Sequence, residues 1–167
     1  DLNGIGVKML ATLEADYIGR VLLTFLVSMV PVVELRGGIP FGTALGLDPV
    51  SAAVAAILGN LVPVPFIILF IRHIFDWLRR YDKPRALVEK FEKKAHLKSK
   101  NVIKYQTFGL CLFVALPLPG TGAWTGALIA AILDMRLKRA MPSIILGVII
   151  AATIVTCVTR GVVAALF

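Results

Sequence analysis

The stretch that decides the reading is Val30-Pro31-Val32-Val33-Glu34-Leu35-Arg36-Gly37-Gly38-Ile39-Pro40-Phe41-Gly42. Apolar runs flank it on both sides, and within it a carboxylate and a guanidinium stand two residues apart among five Pro and Gly positions. Charges in such surroundings are costly at membrane depth, and they mark functional sites there. A second stretch, Leu112 to Asp134, repeats the pattern. Leu26 falls on Leu112, Pro31 on Pro117 and Asp48 on Asp134 at one offset; with small shifts, Gly42 meets Gly126 and Gly59 meets Gly147. Each half reads as apolar run, Pro/Gly break, second apolar run, Asp and long apolar helix. Hydrophobic segments broken at corresponding positions of two halves point to a transporter-type binding site.

The apolar share of 58% exceeds the ~45–50% of ordinary soluble domains. An all-α integral membrane protein is expected, multi-pass in the plasma or inner membrane. The net charge of +8 does not require nucleic acid, because eleven of the eighteen Lys and Arg lie between Arg72 and Lys104. The positive-inside rule places that connection in the cytoplasm. Cys111 and Cys157 sit in apolar runs and form no metal or redox motif, which makes them small packing residues. No metal and no cofactor are expected.

Taken in order, residues 1–20 form an amphipathic surface helix, with Ile5, Met9, Leu13 and Tyr17 on one face. Val21 to Val33 is uncharged but would cover only roughly 20 Å of a ~30 Å hydrocarbon core. It then meets Glu34 to Gly38 and resumes as Ile39 to Leu47, so two half-helices with a tip between them are predicted. The competing reading begins a tilted span at Tyr17 and leaves Glu34 and Arg36 at the far interface. Asp48-Pro49 signals a helix start, and Val50 to Ile71 is long enough to span. Gly59, Asn60, Pro63 and Pro65 interrupt that helix, which argues that it packs in the interior. Asn60 either bonds across helices or touches substrate.

The 72–104 connection carries Trp77 at the interface, a basic surface helix opened by Lys83-Pro84, and two solvated or interfacial histidines, His73 and His96. Tyr105 to Leu133 is broken at Pro117-Leu118-Pro119-Gly120-Thr121-Gly122, either as a broken span or as a second hairpin. Basic residues at both of its ends favour the hairpin. Pro142 then opens the last span, Ser143 to Phe167. One membrane domain, 1–167, therefore holds repeat 1 over 21–71 and repeat 2 over 105–167. Counting crossings gives the two repeats opposite orientations, with the hairpin tips meeting near mid-membrane.

At each tip a half-helix would begin with open amide N–H groups, which attract anions. Gly37, Gly38, Gly120 and Gly122 allow close backbone approach, Thr121 can cap or donate, and Arg36 suits phosphate or carboxylate. Glu34 in a poorly solvated place can take up a proton in one state and release it in another. The plainer reading pairs Glu34 with Arg36 to hold the tip in shape.

The signatures E-L-R-G-G-I-P-F-G at 34–42 and P-L-P-G-T-G-A-W-T-G at 117–126, with a basic middle loop, resemble the small multidrug export protein family, which is similar to the wider DedA superfamily. The resemblance spans about Val21 to Val163. It implies two inverted re-entrant hairpins, each followed by a transmembrane helix, and lipid movement coupled to the proton gradient. By position, Glu34 matches the acidic residue near the first tip and Arg36 the nearby basic one. Where DedA relatives carry an arginine after the second turn, this chain has Thr121 and Trp124.

The combined expectation is a non-enzymatic, proton-coupled transporter or flippase for an anionic lipid, such as a polyprenyl phosphate, or an organic anion. Its site would comprise Glu34, Arg36, Gly37, Gly38, Pro40, Asn60, Pro117, Pro119, Gly120, Thr121, Gly122 and Trp124. Its partners would be the lipid bilayer, that substrate, the proton and a second copy in a homodimer. The alternatives are an exporter of lipophilic cations, as the family's name implies, and an uncoupled scramblase or membrane scaffold.

Overall fold

The computed structural model describes residues 2–78, 100–118 and 120–166, and every regular element among them is helical. The helices are α1 (Leu2–Ser28), α2 (Glu34–Ala44), α3 (Pro49–Leu61), α4 (Pro63–Leu78), α5 (Lys100–Ala115), α6 (Ala123–Ile132) and α7 (Leu137–Leu166). The expected surface helix over 83–99, His96 and Pro119 lie outside the described residues.

Two helical stretches are long and apolar enough to cross a bilayer: Pro49–Ile74, with 26 residues, and Leu137–Ala165, with 29. At 1.5 Å per residue each reaches about 40 Å, beyond the ~30 Å hydrocarbon core. The protein is a helical membrane protein, and its packing follows from that solvent. The buried positions are largely small: Ala52, Ala55, Ala56, Ala127, Ala130, Ala131, Ala140 and Ala151. Large apolar side chains such as Leu22, Leu26, Leu58, Phe66, Phe70, Phe108 and Leu146 are exposed. Lipid is as apolar as leucine, so helices associate through close backbone approach at small residues instead of by hiding bulk from water.

The chain divides into two compact units, residues 1–60 with 152–167, and residues 61–151. In the first unit, α1 runs unbroken from Leu2 to Ser28, with no break near residue 20 between a surface helix and a hairpin arm. The break falls at Met29–Val33, and α2 begins at Glu34 itself. Glu34, Arg36, Gly37 and Gly38 are therefore inside the first turns of a helix rather than in a linker. Small residues fix the packing. A Cβ at Gly38 would meet Ser28 of α1 and Ala56 of α3, and one at Gly42 would lie 2.7 Å from Thr24 Oγ1 and 3.0 Å from the Ala52 Cβ. At Gly59 it would strike the Phe25 carbonyl. The Thr24 and Ser28 hydroxyls donate back to the carbonyls of Arg20 and Thr24, which lets them be buried without cost to the backbone.

In the second unit, α5 and α6 flank the Leu116–Gly122 break, as the prolines and glycines there require. A Cβ at Gly126 would lie 2.5 Å from Val114 Cγ2, with Ile144 also near, and one at Gly147 would lie 2.7 Å from the Cys111 carbonyl. The same contacts thus recur in both units. Phe25 and Cys111, and Ser28 and Val114, stand 86 residues apart; Gly38 and Gly126, Ala56 and Ile144, and Gly59 and Gly147 stand 88 apart. Two more residues in the second break separate the registers.

The turns after α2 and α6 agree with the larger offset. Leu47 N–H donates to Gly42 O at 3.1 Å and Gly46 N–H to Thr43 O at 3.0 Å; Met135 N–H donates to Ala130 O at 2.9 Å and Asp134 N–H to Ala131 O at 3.1 Å. Both are Schellman closures with a left-handed residue at their centre, Gly46 at φ 88° and Asp134 at φ 50°. The sequence alignment is corrected accordingly. Gly126 corresponds to Gly38 rather than Gly42, and Asp134 to Gly46 rather than Asp48; Gly59 and Gly147 correspond as expected. Asp48 caps α3 by accepting the Ser51 N–H at 3.0 Å. Pro142 lies inside α7, which already begins at Leu137.

Candidate functional site

The first unit carries the polar groups. Glu34 opens α2 in a left-handed conformation, φ 49°, and is only 6% exposed. A buried carboxylate at a conformation that side chains disfavour is a strained arrangement of the kind concentrated at functional sites. Arg36, half-buried, lies within electrostatic reach of it. Gly37 and Gly38 let α2 approach Val33 and Ser28. Pro40 lies inside α2 on its exposed side and has no N–H for the Arg36 carbonyl.

The start of α2 differs from the open anion cradle expected there. Glu34 N–H donates to Val30 O and Gly37 N–H to Val33 O, each at 2.9 Å, so the turn's own carbonyls use those amides. Asn60, near the end of α3, is fully buried, and neither its Nδ2 nor its Oδ1 has a hydrogen-bond partner.

The second unit offers a different surface. Gly120 takes a left-handed turn, φ 83°, that only glycine adopts freely. Thr121 Oγ1 lies 2.6 Å from Leu116 O and 2.8 Å from Leu118 O, and accepts the Leu118 N–H at 3.3 Å. Its hydroxyl therefore ties the turn together, and Gly122 follows as the N-cap residue of α6. Pro117 is exposed and Gly122 buried. Trp124, half-buried in the first turn of α6, closes one side of an open apolar groove of about 650 Å³. Pro63, Phe66, Ile67, Leu69, Phe70 and His73 of α4 form the rest. Beyond its His73 end, Arg72 pairs with Asp134 through Nε, at 3.2 Å, and Nη2.

Glu34, Arg36, Gly37, Gly38, Pro40 and Asn60 thus belong to one unit, and Pro117, Gly120, Thr121, Gly122 and Trp124 to the other. Sequence reasoning missed the groove residues Phe66, Phe70 and His73. Their four- and three-residue spacing on α4 marked a shared face, but nothing in the sequence placed Trp124 beside it.

A family model described as "Putative small multi-drug export protein" matches residues 34–154, from the first residue of α2 into α7. No curated protein and no solved structure matches the chain.

Proposed function

From a chain that belongs to the small multidrug export protein family, we propose a proton-coupled secondary transporter or flippase for an anionic amphiphile. The buried, left-handed Glu34 beside Arg36 carries the reading. A strained carboxylate in a low-dielectric interior is retained where its charge state has work to do. Glu34 is the proton site and Arg36 the anion anchor, because a guanidinium fork matches phosphate and carboxylate.

A DedA-like architecture of two re-entrant hairpins belongs to this reading, and the lengths of the short helices support it. With 11 and 10 residues, α2 and α6 reach only about 16 Å, half of a bilayer core. Each is suited to the returning arm of a re-entrant hairpin whose irregular turn is shielded by protein. The basic connection lies on the cytoplasmic side.

The groove favours a second reading. Phe66, Phe70 and Trp124 offer ring faces to a lipophilic cation, in keeping with the family's description. Thermal stabilisation of the purified protein separates the two. Polyprenyl phosphates should raise the melting temperature of the wild type and not that of Arg36→Gln. Stabilisation by lipophilic cations alone, lost in Trp124→Ala, would overturn the anion reading and install the second.

A further inference from the structure

Asn60 is a buried polar group that the proposed function has not yet used. Both ends of its amide are buried without a hydrogen-bond partner, a costly state for a side chain with a donor and an acceptor. Packing does not demand an amide there. Val148 follows Gly147 as Asn60 follows Gly59, and it is equally buried. An apolar residue fills the position in one unit; the other keeps an amide.

The helix register gives the layer in which the amide lies. Along the antiparallel pair α2 and α3, Gly42 sits against Ala52 and Gly38 against Ala56. Each step moves four residues back on α2 and four forward on α3, one turn of helix on each side. Continued by one more step, the register brings Glu34, the first residue of α2, to the level of Asn60, and both are buried. Other ionisable groups described in this unit lie away from that layer. On α1, Asp16 and Arg20 pair with each other and Tyr17 donates to Ser51. Asp48 caps the opposite end of α3, and on α7 Cys157 and Arg160 are exposed. Arg36 accompanies Glu34, within electrostatic reach of it.

An ionised carboxylate only accepts hydrogen bonds, so it could satisfy Asn60 Nδ2 but never Oδ1. A carboxylic acid has one donor and one acceptor and matches the amide at both ends. We infer that Glu34 exchanges partners on protonation, passing from Arg36 to Asn60, so that Asn60 is the positioning residue that holds the neutral acid. One proton from the aqueous side forms the Glu34 Oε–H bond. That hydrogen is donated to Asn60 Oδ1, Asn60 Nδ2 donates to the other Glu34 oxygen, and the Arg36 guanidinium is released to take an anion. Proton and anion then bind together, and the anion leaves when the carboxylate reclaims Arg36. This inference rests on Glu34 being the proton site.

Infrared difference spectra of the full chain in lipid nanodiscs, titrated with pH, test it. The wild type should show a protonated-carboxyl band that disappears in Glu34→Gln. In Asn60→Val that band should move to the higher frequency of a weakly bonded acid. Its midpoint should fall by about one pH unit, as expected for loss of a hydrogen bond to the neutral form. Asn60→Ala should behave alike, which guards against a packing effect of either replacement. A Glu34 band unchanged in frequency and midpoint in both variants would overturn the partner exchange and leave the proton site standing. Absence of any Glu34-dependent band across the pH range would overturn both.

Discussion

The two units use one packing scheme to enclose opposite chemistries. In both, a helix ends at a Pro-containing break, a short helix returns against it through a glycine, and a long helix presses a second glycine on a carbonyl of the first. Corresponding interior positions then diverge. Thr24 answers to Leu110, Ser28 to Val114, Arg36 to Trp124 and Asn60 to Val148. What recurs is the backbone geometry; what differs is the hydrogen-bonding capacity placed on it. Because the second unit packs with Leu110, Val114, Trp124 and Val148 at these positions, the packing scheme does not itself demand polar groups there. Ionisable and polar groups at membrane depth mark functional sites by default, which is why Glu34, Arg36 and Asn60 enter the proposed site.

The largest effect should come from the element the units share. Gly59→Val drives a side chain into the Phe25 carbonyl, and Gly147→Val into the Cys111 carbonyl. Backbone cannot retreat as a flexible side chain can, so each should cost about 3 kcal/mol. The loss is read as the yield of monodisperse, detergent-solubilised protein and its melting temperature. A well-folded Gly59→Val protein would break the equivalence of the units at its most specific contact.

The next effect has opposite signs in the two units. Val148→Asn puts an amide in place of a fully buried valine and should cost about 2 kcal/mol. Asn60→Val removes an orphaned amide and should leave stability equal or higher. Paired thermal denaturation measures both. Equal losses in the two variants would mean that Asn60 is a packing residue.

A smaller effect sharpens the comparison at the turns. Asp134 occupies the left-handed position that Gly46 fills in the first unit, held there by Arg72. Asp134→Gly removes the backbone strain and the half-exposed ion pair together. Ion pairs of that exposure are worth about 0.5 kcal/mol, so the change in stability should be near zero, with Asp134→Ala the poorer of the two in the same assay.

The smallest concerns pH. The Ser51 hydroxyl and backbone N–H both bond Asp48, holding its carboxyl below the usual carboxylate range. Stability from this cap is fully present above the unfolded-state value and is lost as pH falls through the lower folded one. Asp48→Asn should flatten the acid limb of the stability profile; the matching position of the second unit holds Arg136, which forms no carboxylate cap.

Much of this was legible in the sequence, and the remainder was hidden for physical reasons. Prolines and glycines announced the breaks, since neither residue continues a helix readily, and Asp48-Pro49 announced the start of α3. The repeat was visible, but its register was misled by identity. Asp48 and Asp134 are the same residue doing different work, a helix cap and a left-handed turn. Gly46 and Asp134 do the same work with different residues, and only the dihedral angles reveal it. Glu34 read as part of a linker because its neighbours are glycines; the helix begins there because Val30 and Val33 supply the carbonyls that close its first turn. Thr121 read as a group that can cap or donate, and its bonds within the turn were hidden because the carbonyls come from the shape of that turn. The groove required Trp124 to be brought against α4, a tertiary contact that no local pattern encodes.

The most direct test is movement of a fluorescent short-chain polyprenyl phosphate across proteoliposomes under an imposed pH gradient, with wild type and Glu34→Gln measured side by side. Gradient-driven movement is expected in the wild type, and in Glu34→Gln a rate that no longer responds to the gradient. An equal response in both proteins, or none in the wild type, would contradict it.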